Sequence, residues 1–253
     1  MSTPTFAVVV PCRDDAVWLR RCLEALEGQT RRPDRVIVVD NASRDDSAAV
    51  ARAYGATVID EPRHGVSPAA ATGYDAVTED LIGRLDADSL PGPDWVARAV
   101  ARFSSPQRVD LLTGDGRFYG PRRLVNSLGN HLYLGGMYTF VTPYLGHPPV
   151  FGSCMAMRRE VWRELRDDVH RHTREIHDDL DLSFQVRPWM TVVHDPGWWV
   201  GVSARPFDTW GTLGRRLRWT VTTVRASWPA SAPLRHRRER RDWERAALTR
   251  RRA

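Results

Sequence analysis

Short apolar runs alternate with helix-period segments through the first hundred residues. Phe6-Ala7-Val8-Val9-Val10 is continuously apolar and stops at Pro11, the pattern of a strand covered on both faces. Leu19, Cys22, Leu23 and Leu26 recur at i, i+3, i+4 and i+7 and predict a helix that Gly28 can end. Val36 to Val39 predicts a second strand, closed by Asp40-Asn41-Ala42-Ser43, and Ser43 with Asp46 reads as a capping-box start for a helix closing at Gly55. Thr57 to Ile59 predicts a third strand. Ser67-Pro68 then supplies an N-cap and a first-turn proline for a helix through Val77, and Leu81 to Leu85 is a buried strand running into Asp86. Val96, Ala99, Val100 and Phe103 place another helix directly afterwards. Strands alternating with helices of this length predict βαβ units and a mostly parallel sheet.

Open sheets of this kind bind ligands outside the carboxyl ends of their strands. Pro11-Cys12-Arg13-Asp14, Asp40-Asn41 and Asp86-Ala87-Asp88 all follow strand ends, so they converge on one crevice. Asp86 and Asp88 form a pair of hard oxygen donors suited to Mg²⁺ or Mn²⁺, although such triplets also occur in solvated turns. With no G-x-G-x-x-G and no G-x-x-x-x-G-K, the dinucleotide fingerprint and the Walker loop are excluded. His177-Asp178-Asp179-Leu180-Asp181 packs three carboxylates into four positions. Either they complement a helix dipole or one of them, Asp179 first, is a general base. Arg215-Arg216-Leu217-Arg218-Trp219 offers forked guanidinium bonds to phosphate and an indole to stack on a sugar, or else forms an exposed basic helix face.

The 253 residues, 42% of them hydrophobic, suffice for one large α/β domain. Lysine is absent, so all 37 basic residues are arginine. From Leu213 onward 13 Arg face 3 acids, a balance of +10 inside a total of +6, which leaves −4 on the first 212 residues. That segregation argues against nucleic-acid binding by the folded face despite a pI near 9.8. It divides the chain into a domain over 1–226 and a Pro/Ser linker with an Arg-rich helical extension over 227–253. Arg235 to Arg252 either bind anionic headgroups, at about 1 kcal/mol per residue near a surface, or form a solvated helix.

Cys12, Cys22 and Cys154 are odd in number and lack metal or redox spacing, and Phe6 to Val10 is too short for a signal-peptide core; both point to a reduced, cytoplasmic setting. Leu124 to Met157 contains no Asp, Glu or Arg, but its Asn, Gly, His and Pro residues leave no window of the ~20 apolar residues that a membrane span needs. Its Tyr133, Tyr138, Phe140, Tyr144 and Phe151 either line an apolar acceptor site, touch a bilayer interface, or belong to ordinary core and loop.

Taken together, residues 6 to 219 resemble the inverting GT-A glycosyltransferases, in particular glycosyltransferase family 2. The resemblance implies a Rossmann-like α/β fold with a mixed, mostly parallel sheet flanked by helices. It matches Pro11 to Arg13 to the turn that cradles the nucleotide and Val39-Asp40-Asn41-Ala42-Ser43 to the turn that reads the base. It assigns Asp86 and Asp88 to the metal, with Asp88 the direct ligand, Asp179 to the catalytic base, and Arg215 to Trp219 to the Q-x-x-R-W motif. Donor contacts are thereby expected from Pro11, Arg13, Asp40, Asn41, Arg84, Asp86, Arg215, Arg218 and Trp219. Arg215 stands in place of Gln, Asp178 in place of Glu, and the A-R-N-x-G helix start reads Ala69-Ala70-Ala71-Thr72-Gly73. The implied reaction moves a sugar from a nucleoside-diphosphate sugar, with Mn²⁺ or Mg²⁺, to a hydroxyl acceptor. A lipid-linked or cell-envelope acceptor fits best, together with peripheral contact at the inner face of the plasma membrane and no nucleic-acid partner. The competing readings are a nucleotidyltransferase, which usually carries a glycine-rich loop that Pro11 to Trp18 lacks, and an idle nucleotide-sugar-binding scaffold.

Overall fold

Every residue of the first strand, β1 (Phe6–Cys12), is buried except Pro11, because its two faces feed two separate cores. Phe6, Val8 and Val10 point into one and Ala7 and Val9 into the other, as the two-residue period of a strand requires. Helix α1 (Ala16–Glu27) follows and buries Leu19, Cys22, Leu23 and Leu26, the four positions of the apolar stripe. Then come β2 (Arg35–Asp40), α2 (Ser47–Ala53), β3 (Thr57–Asp60), α3 (Val66–Asp75), β4 (Leu81–Arg84), the two-residue β5 (Leu90–Pro91) and α4 (Trp95–Phe103). The second half contains β6 (Leu111–Tyr119), a π-helical turn Met137–Val141 leading into α5 (Thr142–Leu145), β7 (Met155–Arg158), α6 (Arg159–Leu165), α7 (Asp178–Gln185), β8 (Val192–Ser203), α8 (Trp210–Ala226) and α9 (Arg235–Arg252). This computed structural model describes residues 3–119, 137–203, 205, 210–230, 232 and 234–252.

Two helix starts differ from their sequence expectation. Helix α2 begins at Ser47, four residues after Ser43, because the N–H of Ser43 closes a turn onto Asp40 Oδ1 (3.1 Å) while Asp45 takes the N–H and hydroxyl of Ser47. Helix α3 begins at Val66 behind Gly65, whose φ of 137° suits glycine. Ser67 is inside its first turn, donating to His170 O rather than capping.

One eight-stranded sheet runs β3-β2-β1-β4-β7-β6-β8-β5. The pairs β3–β2, β2–β1 and β1–β4 are parallel; β4–β7, β7–β6 and β8–β5 are antiparallel, and β6–β8 is parallel. The chain winds outward from β1 through β2 and β3, then returns to lay β4 on the other side. This reversal opens a crevice beyond the carboxyl ends of β1 and β4. Glycines let the layers close on it: a Cβ on Gly73 of α3 would stand 2.3 Å from Val9, and one on Gly83 would stand 2.6 Å from Phe6. On the other face Trp95 stacks on Trp198 at 4.9 Å and meets Phe6 edge-on at 5.7 Å.

The arginine-rich α9 docks on the domain. Backbone of Arg237 crosses against Gly146, and Arg240 donates to Met190 O at 3.1 Å. His147 and His236 meet edge-to-face at 6.0 Å across this joint; they are 4% and 7% exposed, and neither Nε2 has a partner. Burial, reinforced by Arg240 and His236, pushes the His147 imidazole down to about 4. A depressed histidine favours folding above its ordinary value of 6.5 and loses that contribution as pH falls toward 4. The His147 contribution is therefore expected to be about 2 kcal/mol smaller at pH 5 than at pH 7.5, read by chemical denaturation as the difference in pH dependence between wild type and His147→Phe. The His147→Phe variant should lose most of this pH dependence.

Candidate active site

The three polar strand ends do converge. Pro11, Arg13, Asn41, Asp86 and Asp88 line one cavity of about 500 Å³, together with Arg174, Glu175 and Trp219. A second cavity of about 470 Å³ adjoins it through Val66, Asp86 and Trp219, and it carries Arg84, Ser153, His177, Asp178 and Asp179. Asp86 thus stands on the wall between two chambers, one ending at Asp88 and the other at Asp179.

Arg84, the last residue of β4, organises that wall. Its guanidinium is buried, 2.8 Å from Asp86 Oδ1 and 3.5 Å from Asp178 Oδ2. Burial alone would disfavour its charge, but Asp178 and Asp86 outweigh burial and hold it protonated. Gly152 is the residue that admits it, since a Cβ there would lie 1.7 Å from Arg84 Nη1. The N–H of Gly152 donates to Asp179 Oδ2 (3.0 Å), and Ser153 Oγ donates to Asp86 Oδ2. One short turn, Gly152–Cys154, therefore orients both candidate functional carboxylates.

Asp178 and Asp179 open helix α7, where the free N–H groups of the first turn favour negative charge. Their roles separate by contact. Asp178 faces Arg84, and burial first, then the charges of Asp179 and Asp86, push its carboxyl up to about 6 against the pull of that guanidinium. Asp179 accepts from Gly152 and from the N–H of Leu180 (2.8 Å) and borders the open chamber. Asp181, two residues on, is fully buried and structural: it accepts from His170 N–H (2.6 Å) and Ser227 Oγ (2.8 Å).

At the other chamber, Asp88 is raised by burial and by Asp86, and Arg205 opposes both. Arg205 bridges Asp88 Oδ2 and Asp15 Oδ1, each at 2.8 Å, with its guanidinium 4.9 Å above the Trp18 ring. Asp86 and Asp88 each carry a guanidinium partner, which marks where the fold demands positive charge. Among the described residues no third His, Cys, Asp or Glu joins them in a metal-ligand cluster. Two carboxylates on an open cavity suit Mg²⁺ or Mn²⁺, which take phosphate oxygens and water in their remaining positions.

Of the other expected donor contacts, Asn41 is a latch. Its amide donates to Glu61 O (2.9 Å) and Arg63 O (2.7 Å) and accepts from Gly65 N–H (2.8 Å), fixing the loop that enters α3. Glu61 anchors the same loop, held down at about 2 by the hydrogen bonds of Arg63. Asp40 closes its own turn onto Ser43. Arg218 is exposed and reaches Glu175 at 3.5 Å, while Trp219 lines both chambers. The side chain of Arg215 lies outside the described residues, as does Tyr133.

Phe151 lines the second chamber, but Tyr138 does not. Its hydroxyl bonds Thr113 Oγ1 (3.0 Å) and Gly114 O (2.8 Å), and its ring stacks on His194 at 3.8 Å. Sequence reasoning missed Gly152, Ser153, Arg174 and Arg205. Gly152 stood in an uncharged stretch, and arginines are too frequent here for any one to stand out.

Gly152→Ala is expected to lower stability by about 1–3 kcal/mol, the usual cost of overpacking, by driving Arg84 off its carboxylates. Thermal unfolding measures it; an unchanged Tm would place the Arg84 guanidinium elsewhere.

The profile of glycosyl transferase family 2 matches residues 7–166. Among curated relatives, glycosyltransferase AglE of Haloferax volcanii is 29% identical over 126 residues, 47% of this chain and 41% of that protein. The uncharacterized glycosyltransferase Mb0553 of Mycobacterium bovis is 34% identical over 117 residues, 46% of this chain and 51% of that protein. The chain thus spans about half the length of the curated relatives it matches. Among solved structures, mannosyltransferase PcManGT of Pyrobaculum calidifontis, in complex with GDP-Man and Mn²⁺, superposes with a TM-score of 0.67 at 22% identity, covering 90% of this chain and 65% of that one. Glucosyl-3-phosphoglycerate synthase of Mycobacterium tuberculosis, in complex with Mn²⁺, UDP and glucosyl-3-phosphoglycerate, gives 0.62 at 20% identity, covering 88% and 80%. At these identities the likeness is one of fold.

Proposed function

The chain belongs to glycosyl transferase family 2 and has the GT-A fold, and from that premise we propose that it transfers a sugar from a nucleoside-diphosphate sugar to a hydroxyl acceptor with inversion at the anomeric carbon. The observation that carries this reading is the pair of chambers meeting at Asp86, with Asp88 on one side and Asp179 on the other. Direct displacement needs that arrangement: the leaving diphosphate and the attacking hydroxyl lie on opposite sides of one carbon.

The nucleoside diphosphate occupies the chamber of Pro11, Arg13, Asn41 and Asp88, with Asp86 and Asp88 holding a divalent ion. That ion, when bound, offsets the charge developing on the leaving diphosphate. Asp179, oriented by Gly152 N–H, takes the proton from the acceptor oxygen as it attacks. Asp178 stays against Arg84, which keeps the wall charge-balanced while Asp179 works. Trp219, bordering both chambers, excludes water from the sugar between them. An acceptor with an apolar portion fits the second chamber, whose wall includes Val66, Val141, Val150 and Phe151.

Isothermal titration with UDP and GDP is expected to show binding that needs Mn²⁺, is lost in EDTA, and is at least about tenfold weaker in Asp88→Ala. Asp179→Asn should keep that binding and lower transfer about 10²- to 10⁴-fold, because an amide cannot take the acceptor proton. Equal metal-dependent affinity in wild type and Asp88→Ala would remove the metal assignment, and donor binding without turnover by the wild type would leave a nucleotide-sugar-binding scaffold.

No helix among the described residues is long and apolar enough to cross a membrane. The proposed acceptor is lipid-linked and is met at a membrane surface. Helix α9 supplies the contact, with Arg237, Arg238, Arg241 and Arg245 exposed on it. Replacing these four by Gln keeps His236 and Arg240 docked. It is expected to weaken co-sedimentation with phosphatidylglycerol vesicles by about 1 kcal/mol per residue at low salt, and less as salt rises. Salt-insensitive, equal binding of both proteins would make α9 a solvated helix.

A further inference from the structure

A third cavity, of about 280 Å³, lies away from both chambers, where the last turn of α7, the end of α8 and the start of α9 come together. Its size is near the lower end of small-molecule sites, with room for a single ring. Its lining includes the buried Phe184 and the exposed pair Trp228-Pro229, with 62% of the Trp228 surface exposed. An indole this open, on the border of a cavity, offers a flat apolar face that no described residue is seen to use.

The polar groups on the wall are of two kinds. The charged ones are already paired: Arg187 bonds Asp168, and Arg235 bonds Glu239 at 2.7 Å. A ligand in the cavity therefore meets no unbalanced charge from these groups, so an anion gains nothing here that it lacks in water. Of the uncharged ones, Ser227 Oγ bonds Asp181, while His236 Nε2 and the Gln185 amide have no partner among the described residues. Gln185 is only 6% exposed, yet its amide has no side-chain hydrogen bond to any described residue. An amide offers two donors and an acceptor, and this one borders the cavity, so the site suits a partner that both donates and accepts.

A flat apolar face, an unmet amide and balanced charges together describe one ligand chemistry: a neutral ring with an apolar C–H face and a rim of hydroxyls. We propose that this cavity is a binding site for a neutral hexose unit, separate from the donor and acceptor chambers. The ring stacks on Trp228, and its hydroxyls complete the hydrogen bonding of Gln185. The assignment stands on the residues of this cavity and does not rest on the transfer reaction. It is tied to the catalytic region all the same. His170 and Ser227, both on the cavity wall, bond Asp181 of α7, and Gln185 closes the helix that Asp178 and Asp179 open. Asp179 and Gln185 are six residues apart, about 9 Å along the axis of the same helix.

The test is a saturation-transfer-difference NMR titration of the full chain with methyl α-mannoside, methyl α-glucoside and methyl β-galactoside. UDP and Mg²⁺ are present at saturation, and inorganic phosphate serves as the competing probe. Saturable, millimolar binding of at least one glycoside is expected, undiminished by phosphate and unchanged in Asp179→Asn. Trp228→Ala and Gln185→Leu should each weaken it about tenfold, the first by removing the stacking face and the second by removing the amide at equal volume. Because Trp228 is exposed, its variant should keep the wild-type Tm. Absence of saturable binding by all three glycosides overturns the proposal. So does competition by phosphate, which would make this an anion site, or loss of binding in Asp179→Asn with Trp228→Ala unaffected, which would return the sugar to the acceptor chamber.

Discussion

A buried guanidinium among carboxylates is the constraint on which the site depends. Arg84 ends a central strand and is only 3% exposed, and Asp86 and Asp178 both stand beside its charge. Removing one partner of such a group typically costs about 3–5 kcal/mol, because an uncompensated charge is left in the interior. That cost fixes the start of α7 against the end of β4, although the two are nearly a hundred residues apart in sequence. Gly152 belongs to the same constraint, since a side chain there would occupy the space of the guanidinium. The separation between the two chambers of the crevice is thus set by one arginine rather than by Asp88 or Asp179.

Positive charge is supplied in advance at the other end too. Arg205 holds Asp88 and Asp15 while Arg84 holds Asp86, so a row of acids that would otherwise repel one another is stable without an ion. The rest of the crevice is held by backbone-directed bonds. Asn41 ties the ends of β2 and β3 to the loop before α3 through three of them, and Glu61 with Arg63 and Thr72 secures that loop from below. These side chains line or support the chamber of Asp88 through bonds already made within the fold, which makes it a pre-shaped cradle.

The C-terminal arginines obey a different physics. Along α9 they are mostly exposed, yet the helix is pinned by the uncharged part of its surface, with His236 against His147 and its backbone against Gly146. Docking and charge are therefore separable: neutral buried histidines hold the helix, and solvated guanidinium groups face outward. The cavity bordered by Trp228 forms only because that helix returns to the domain.

Much of the first half was legible in the chain. An apolar run such as Phe6 to Val10 can be stable only if covered on both faces, and the Leu19–Leu26 stripe permits one helix face, so local pattern determined β1, α1 and α4 and with them the convergence of Pro11, Asn41 and Asp86. Acid spacing likewise drew attention to the Asp86/Asp88 pair and the Asp178–Asp181 cluster, and the family resemblance picked Asp88 and Asp179 within them. Local pattern misplaced the starts of α2 and α3, where Ser43 and Ser67 found partners in other segments. It was silent on β6, β7 and β8, whose pairing joins residues such as Leu111, Met157 and Val192 that no short-range period connects. Tertiary structure alone decided that Asp178 pairs with Arg84 while Asp179 is left facing a chamber, that Asn41 is a latch, and that Arg205 reaches Asp88. A charge chooses its partner by distance and burial in three dimensions, and neither quantity is written in the order of residues along the chain.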